Sequence, residues 1–161
     1  MKKLKGITRT LVCIGVFIAV AACESTDCPI NNIVYSTYGF YAATDEGESK
    51  IQVLDTLTTD SILINRLVRG SEVELPVSYS AATDTLIFHF TDTTSRTRRD
   101  TIWIDKENIP HYESPTCPAS MFHHVTAVRW TRLLVDSVSI VNPNINYNVS
   151  ENFKIYFRSG N

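Results

Sequence analysis

Glycine is scarce in this chain: six in 161 residues, two of them at positions 6 and 160. That leaves no glycine-rich loop to cradle a phosphate. There is also no His-Glu-x-x-His pair for zinc hydrolysis and no Gly-x-Ser-x-Gly nucleophile elbow. The four histidines (89, 111, 123 and 124) lack metal-ligand spacing. His123 and His124 are adjacent, and neighbours on a strand point to opposite faces. No cofactor and no metal are therefore expected. Long apolar runs are missing too. The apolar stretch near the amino terminus, Leu11–Ala22, has twelve residues and no charge, where a spanning helix needs about 20. Past Cys28 no stretch carries the 3.6-residue period of an amphipathic helix.

What the first residues do have is an address. Lys2, Lys3, Lys5 and Arg9 precede the short apolar stretch, and small residues close it. This is the layout of a secretory signal peptide, here an N-terminal signal helix over 1–22. Its last residues, Val20-Ala21-Ala22-Cys23, resemble a bacterial lipobox. The resemblance implies cleavage before Cys23 and fatty acylation (palmitate) of that residue. One acyl chain holds a membrane marginally, and two or more hold it firmly. The membrane is then the first expected partner, through the lipid on Cys23, with 23–32 as tether and 33–161 as a single domain.

Removing residues 1–22 leaves 139 residues, enough for one core. They hold eleven basic and seventeen acidic residues, a net charge of −6. No electrostatic case for nucleic acid exists. Once Cys13 leaves with the signal and Cys23 carries lipid, Cys28 and Cys117 remain. In an oxidising compartment two leftover cysteines pair most simply with each other. Each is followed by proline, which stiffens both attachment points.

The rest alternates with a period of two. "EVELPVSY" sets Val73, Leu75, Val77 and Tyr79 against Glu72, Glu74 and Ser78. "DTLIFHF" sends Leu86, Phe88 and Phe90 one way, and "NFKIYFR" does the same with Phe153, Ile155 and Phe157. Strands are predicted at 33–42, 50–54, 60–66, 72–79, 84–91, 100–105, 122–132, 136–142 and 152–158. Pro76 cannot donate to a ladder and so marks an edge or a bulge. Residues 91–101 read as a polar hairpin tip carrying Arg96, Arg98 and Arg99, 142–148 as a turn, and His111 as a loop residue. The fold class is all-β, an antiparallel β-sandwich of immunoglobulin-like type, in preference to a barrel. An Asp-Ser/Thr pair opens several strands, at Asp60, Asp84, Asp100 and Asp136. The expected role of the aspartates is to accept backbone N–H groups at turns, in preference to ligating calcium.

Exposed aromatics are the functional lead. Ile102 and Ile104 face the core, which turns Trp103 outward beside Thr101 and Asp105. Tyr35, Tyr38 and Tyr41 add aromatic area on the first strand, with Tyr38 opposing the other two. These four are the candidate ligand-binding residues, able to stack on a sugar ring or anchor a partner. The competing reading covers Trp103 with a neighbouring segment. Trp130, in line with Val128, reads as core.

The lipobox and early Cys-Pro, "DSILIN", "ESPTCP" and the closing "DSVSIVNPNINYNVSENFKIYF" together resemble an uncharacterised family of Bacteroidota envelope lipoproteins. That resemblance implies a lipidated, exported β domain and supplies no catalytic residue. In that group an acidic cluster after the lipid cysteine accompanies surface export. Here Ser25 and Thr26 separate Glu24 from Asp27, which points to the periplasmic face of the outer membrane. The expected function is a non-enzymatic binding or scaffolding lipoprotein whose partner is an envelope protein or a glycan. The alternatives are a glycan-binding module using the exposed aromatics and, behind it, a hydrolase.

Overall fold

The computed structural model describes residue 28 and residues 32–44, 47–50, 70–91 and 96–158. The signal segment 1–22, Cys23, most of the tether and the predicted strands at 51–54 and 60–66 lie outside the described residues. So do Asp60 and residues 92–95 of the predicted hairpin tip.

Among the described residues there are nine strands and no helix: β1 (Tyr35–Thr44), β2 (Gly47–Lys50), β3 (Glu72–Pro76), β4 (Thr83–Thr91), β5 (Thr97–His111), β6 (Ser120–Trp130), β7 (Val135–Ile140), β8 (Asn144–Ile145) and β9 (Glu151–Phe157). They form two sheets packed as a sandwich. One sheet runs β2-β1-β9-β7, with β3 also paired to β1; the other runs β4-β5-β6-β8. Alternation explains the core. Leu86, Phe88 and Phe90 from β4 and Ile102 and Ile104 from β5 meet Tyr38, Phe40, Phe153 and Ile155 from the facing sheet, all buried. Tyr38 stacks on Phe153 at 4.9 Å, and Phe40 meets Phe90 edge-on at 6.3 Å.

Five features depart from the sequence expectation. First, β1 and β9 are parallel, with Tyr38 beside Phe153 and Phe40 beside Ile155, so the five-stranded sheet is mixed. A parallel pair needs a long crossover, and almost the whole domain lies between these two strands. Second, β5 does not stop at Asp105. It continues through Pro110 to His111, which pairs with Ser120. Beyond the Thr83–Asp105 pair, β4 no longer flanks β5. After Lys106 N, which donates to Ala82 O at 2.9 Å, no strand among the described residues pairs with that edge of β5, where a residue without an N–H is tolerated. Third, the segment read as a turn, 142–148, contains β8, and its Ile145 is buried. Fourth, Tyr38 is a core residue at 1 % exposure. Its hydroxyl accepts from Ser36 Oγ at 2.8 Å, and burial pushes its phenol well above the ordinary value. Fifth, β6 ends at Trp130, so Thr131 and Arg132 belong to the turn that follows.

Bulges set which side chains face inward. In β6 the pairing passes from Ala127 to Val125 and skips Thr126. Inward parity therefore switches from Val128 and Trp130 to Val125 and His123. In β9 the register skips Asn152. Its amide turns inward, accepting from Thr37 N at 3.0 Å and donating to the carbonyls of Asn142 and Asn144 at 3.0 and 3.2 Å.

Candidate functional site

The four aromatics singled out from the sequence do not converge. Tyr38 is in the core. Tyr35 and Tyr41 lie on the outer face of the five-stranded sheet, by their alternation with Tyr38 and Phe40. Trp103 lies on the outer face of the other sheet, on the far side of the sandwich. Tyr41 donates to the Glu151 carboxylate at 2.9 Å, and Lys154 Nζ sits 4.8 Å from its ring centroid. That carboxylate crosses the backbone of Gly39 so closely that a Cβ there would lie 2.1 Å from Glu151 Oε2. Glycine is needed at 39 to let the Tyr41–Glu151 pair lie flat.

Trp103 is half-buried beside Thr85 on β4 and Arg129 on β6. The Arg129 guanidinium stands 5.8 Å from the indole centroid and also reaches Asp105 at 3.2 Å. Asp105 further accepts from the Thr83 hydroxyl at 2.7 Å. That hydroxyl first, then Arg129, holds the Asp105 carboxyl below its ordinary value. The result is an outward strip of Thr83, Asp105, Arg129 and Trp103, a polar rim around one aromatic face. Trp130 is half-buried against the core and donates its indole N–H to Asp136 O at 3.1 Å.

A second cluster was not singled out from the sequence. On β5 the inward positions read Asp100, Ile102, Ile104, Lys106, so two charged residues flank two isoleucines at core parity. That parity was the available signal. Lys106 has a fully buried side chain and Asp84 stands 3.8 Å from its Nζ. The ammonium donates to Ser78 O at 2.9 Å, to Ala81 O, and to Asn108 Oδ1 at 3.1 Å. Asn108 Nδ2 donates to the carbonyls of Ser80 and Ala81 at 3.0 and 3.3 Å. Asp84 accepts from Ser78 N at 3.2 Å. Together these hold the β3–β4 connection against the sheet. Burial draws the Lys106 ammonium below its ordinary value, opposed by Asp84. Burial likewise raises the Asp84 carboxyl, opposed by Lys106 and Ser78.

His123 closes the cluster. Its Nδ1 lies 2.8 Å from Asn108 Oδ1. Because Asn108 Nδ2 is occupied by backbone carbonyls, the network assigns the proton to Nδ1. Burial, reinforced by the Lys106 charge, lowers the imidazole to about 4. Between pH 6.5 and about 4 the unfolded chain thus binds a proton that the folded chain refuses. Stability should fall as pH drops through that window, by about 1–2 kcal/mol after discounting for nearby solvent. Asp84, with its raised pKa, acts in the opposite sense at the acid end. Urea midpoints across this range should show the slope, and His123→Gln should flatten it. A wild-type curve without slope would refute the assignment.

The third cluster caps the end of the sandwich that carries Cys117. His111 stacks on Phe122 at 4.2 Å, and Tyr147 meets Phe122 edge-on at 5.0 Å. The hydroxyls of Tyr147 and Ser120 are hydrogen-bonded. Tyr79 donates to Ala119 O at 3.1 Å. Cys117 is bonded to Cys28, with Cα atoms 5.4 Å apart and a sequence separation of 89. Among the described residues no group of three or more His, Cys, Asp or Glu side chains is arranged to hold a metal ion.

No curated protein and no solved structure matches the chain. One family model does match, over residues 50–157, which takes in β3 to β9 and Cys117 but neither β1 nor Cys28. The chain therefore belongs to the family that this model defines, a family of unknown function (DUF6452).

Proposed function

We propose that this protein is a lipid-anchored, non-enzymatic binding or scaffolding domain of a Bacteroidota outer membrane, on its periplasmic face. The lipid is on Cys23, and the partner is another envelope component, a protein or a glycan. The observation that carries the reading is the Cys28–Cys117 bond. It lies five residues after the lipobox cysteine, so the anchor meets the sandwich through a covalent brace and presents it in one orientation. The buried charges support a binding role over catalysis, because they are engaged with backbone. Lys106 and Asp84 hold the β3–β4 connection, and Asp100 holds the β6–β7 turn. Glycan binding would rest on the Trp103 strip alone, since Tyr38 is in the core and Tyr35 and Tyr41 face away from it.

Mass spectrometry of the protein taken from its native membrane tests the anchor. The expected amino-terminal residue is Cys23 with added acyl mass, and Cys23→Ala should move the protein from the membrane pellet to the soluble fraction. An unmodified amino terminus at another residue would sink the reading. Turnover of glycans or peptides by the purified protein, abolished by a single Asp or His substitution that leaves it folded, would sink the non-enzymatic part.

A further inference from the structure

The large exposed apolar side chains are distributed unevenly along the sandwich. Six of them, Ile33, Tyr79, Ile109, Tyr112, Tyr147 and Val149, are 41–68 % exposed; the others among the described residues are Tyr35, Leu133 and Val141. All six lie at the end formed by the start of β1, the β3–β4 connection, the β5–β6 loop and the β8–β9 loop. At the opposite end, in the β6–β7 turn, stands Leu133 at 61 %. That opposite end is also where Arg96, Arg98, Arg99, Arg132 and Arg158 gather, at the start of β5, the β6–β7 turn and the exit of β9.

We propose that the aromatic end is a lipid-contacting surface: it rests on the membrane with Tyr79, Tyr112 and Tyr147 at headgroup level. The proposal deepens the anchor reading and rests on it. Three observations carry it. The disulfide fastens Cys28 to the β5–β6 loop at this end. The five residues from Cys23 to Cys28 span at most roughly 18 Å when fully extended. The acylated residue is thus confined to the neighbourhood of Tyr112, five positions before Cys117. Finally, tyrosine suits the place, because its ring is apolar and its hydroxyl polar, as in the aromatic belts at membrane interfaces; the Tyr79 and Tyr147 hydroxyls are hydrogen-bonded to Ala119 O and Ser120, which fixes those two rings at the surface. The arginine end is held away. The eleven-residue strand β6 separates the two ends by roughly 35 Å, several times the screening length of about 8–10 Å at physiological salt.

Hydroxyl-radical labelling, read residue by residue in a mass spectrometer, tests this on two preparations. One is the native acylated protein in vesicles of phosphatidylethanolamine and phosphatidylglycerol. The other is the unacylated Cys23→Ser protein in buffer. Labelling of Tyr79, Tyr112 and Tyr147 should fall about threefold or more in vesicles, as interfacial burial excludes water, while Leu133 labels equally in both. In vesicles, Tyr112→Ser should partly restore labelling of Tyr79 and Tyr147, and its exposed side chain makes it safe for folding. Equal labelling of the tyrosines in both preparations would overturn the proposal and leave the anchor intact. Protection already present in the unacylated protein, rising with its concentration, would assign the face to a second copy of the chain and also overturn it. If the native protein carries no acyl group, the anchor reading fails by itself. Coupling a maleimide lipid to Cys23, the one thiol left outside the disulfide once residues 1–22 are removed, then gives the same labelling test of the surface.

Discussion

Asp100→Ala is expected to destabilise the protein by about 3–5 kcal/mol, the sum of several interior donors left without their acceptor at about 1–3 kcal/mol each, offset in part by relaxation. Asp100 is completely buried. Its Oδ1 accepts from the Thr131 hydroxyl at 2.7 Å and from Leu133 N at 2.9 Å. Its Oδ2 accepts from Leu134 N at 2.8 Å and Val135 N at 3.0 Å. One carboxylate thus satisfies three successive amides of the β6–β7 turn, whose chain must reverse between the two sheets. Without it those amides lose their partner in the interior, and each unsatisfied group costs about 1–3 kcal/mol. Asp100→Asn sharpens the test. It preserves volume but, in either amide orientation, turns an NH2 toward at least one backbone N–H (Leu133 N on one side, Leu134 N and Val135 N on the other), so part of the loss should persist. Thr131→Val removes one bond of the four and also the acceptor of Thr101 N at 2.8 Å, so it should cost about 2 kcal/mol. Urea unfolding followed by tryptophan fluorescence reads all three, since Trp130 adjoins the turn. A loss under 1 kcal/mol for Asp100→Ala would refute the assigned role.

Removing the disulfide should have an effect of similar size. Cys28 and Cys117 are 89 residues apart, and the chain-entropy account assigns a loop of that length about 4–5 kcal/mol, with measured cases more often near 2–4. A marginal domain has only about 5–15 kcal/mol in total. The Cys28→Ser/Cys117→Ser double variant, or the wild type under reductant, should therefore show a large drop in urea midpoint and melting temperature. Cys23→Ser should leave both unchanged. A non-reducing digest should recover the two cysteines in one cross-linked peptide. Free thiols at both positions, or an unchanged midpoint after reduction, would refute the brace.

The core of this fold was legible where alternation is clean. Leu86, Phe88 and Phe90 can be placed inward from "DTLIFHF" alone, and Phe153 and Ile155 from "NFKIYFR". Cysteine arithmetic led to the Cys28–Cys117 pair, because two thiols were left after the other two were assigned. Tyr38 was harder. In "YSTYGFY" both faces of the strand carry aromatic rings, so period two cannot tell an inward tyrosine from an outward one. The parallel β1–β9 pair was not legible, because register between the first and last strands is set by assembly of the sheet rather than by any local pattern. Bulges at Thr126 and Asn152 were equally hidden. Each adds one residue to a strand and reverses the parity beyond it, and neither residue type announces a bulge.

The aspartates show a different limit. The residue chemistry was read correctly in kind, since Asp84 and Asp100 both accept backbone N–H groups outside the regular ladder. Asp84 does so six residues away, at Ser78. Asp100 reaches a turn more than thirty positions downstream. Sequence specifies that a carboxylate at core parity needs donors; only the fold specifies which loop supplies them. The same holds for Lys106, two of whose acceptors are carbonyls of the β3–β4 connection, more than twenty positions upstream.

The brace between Cys28 and Cys117 also fixes how mechanical load enters the domain. A pull on the amino terminus would, in an unbraced sandwich, peel β1 from its neighbours one ladder bond at a time. Here tension also passes through sulfur into the β5–β6 connection of the opposite sheet, so β1 does not carry it alone. The force then acts along strands on both layers at once, in shear, the geometry in which many hydrogen bonds must break together. A domain pulled at its amino-terminal end would be hardest to unravel from the side that the disulfide braces.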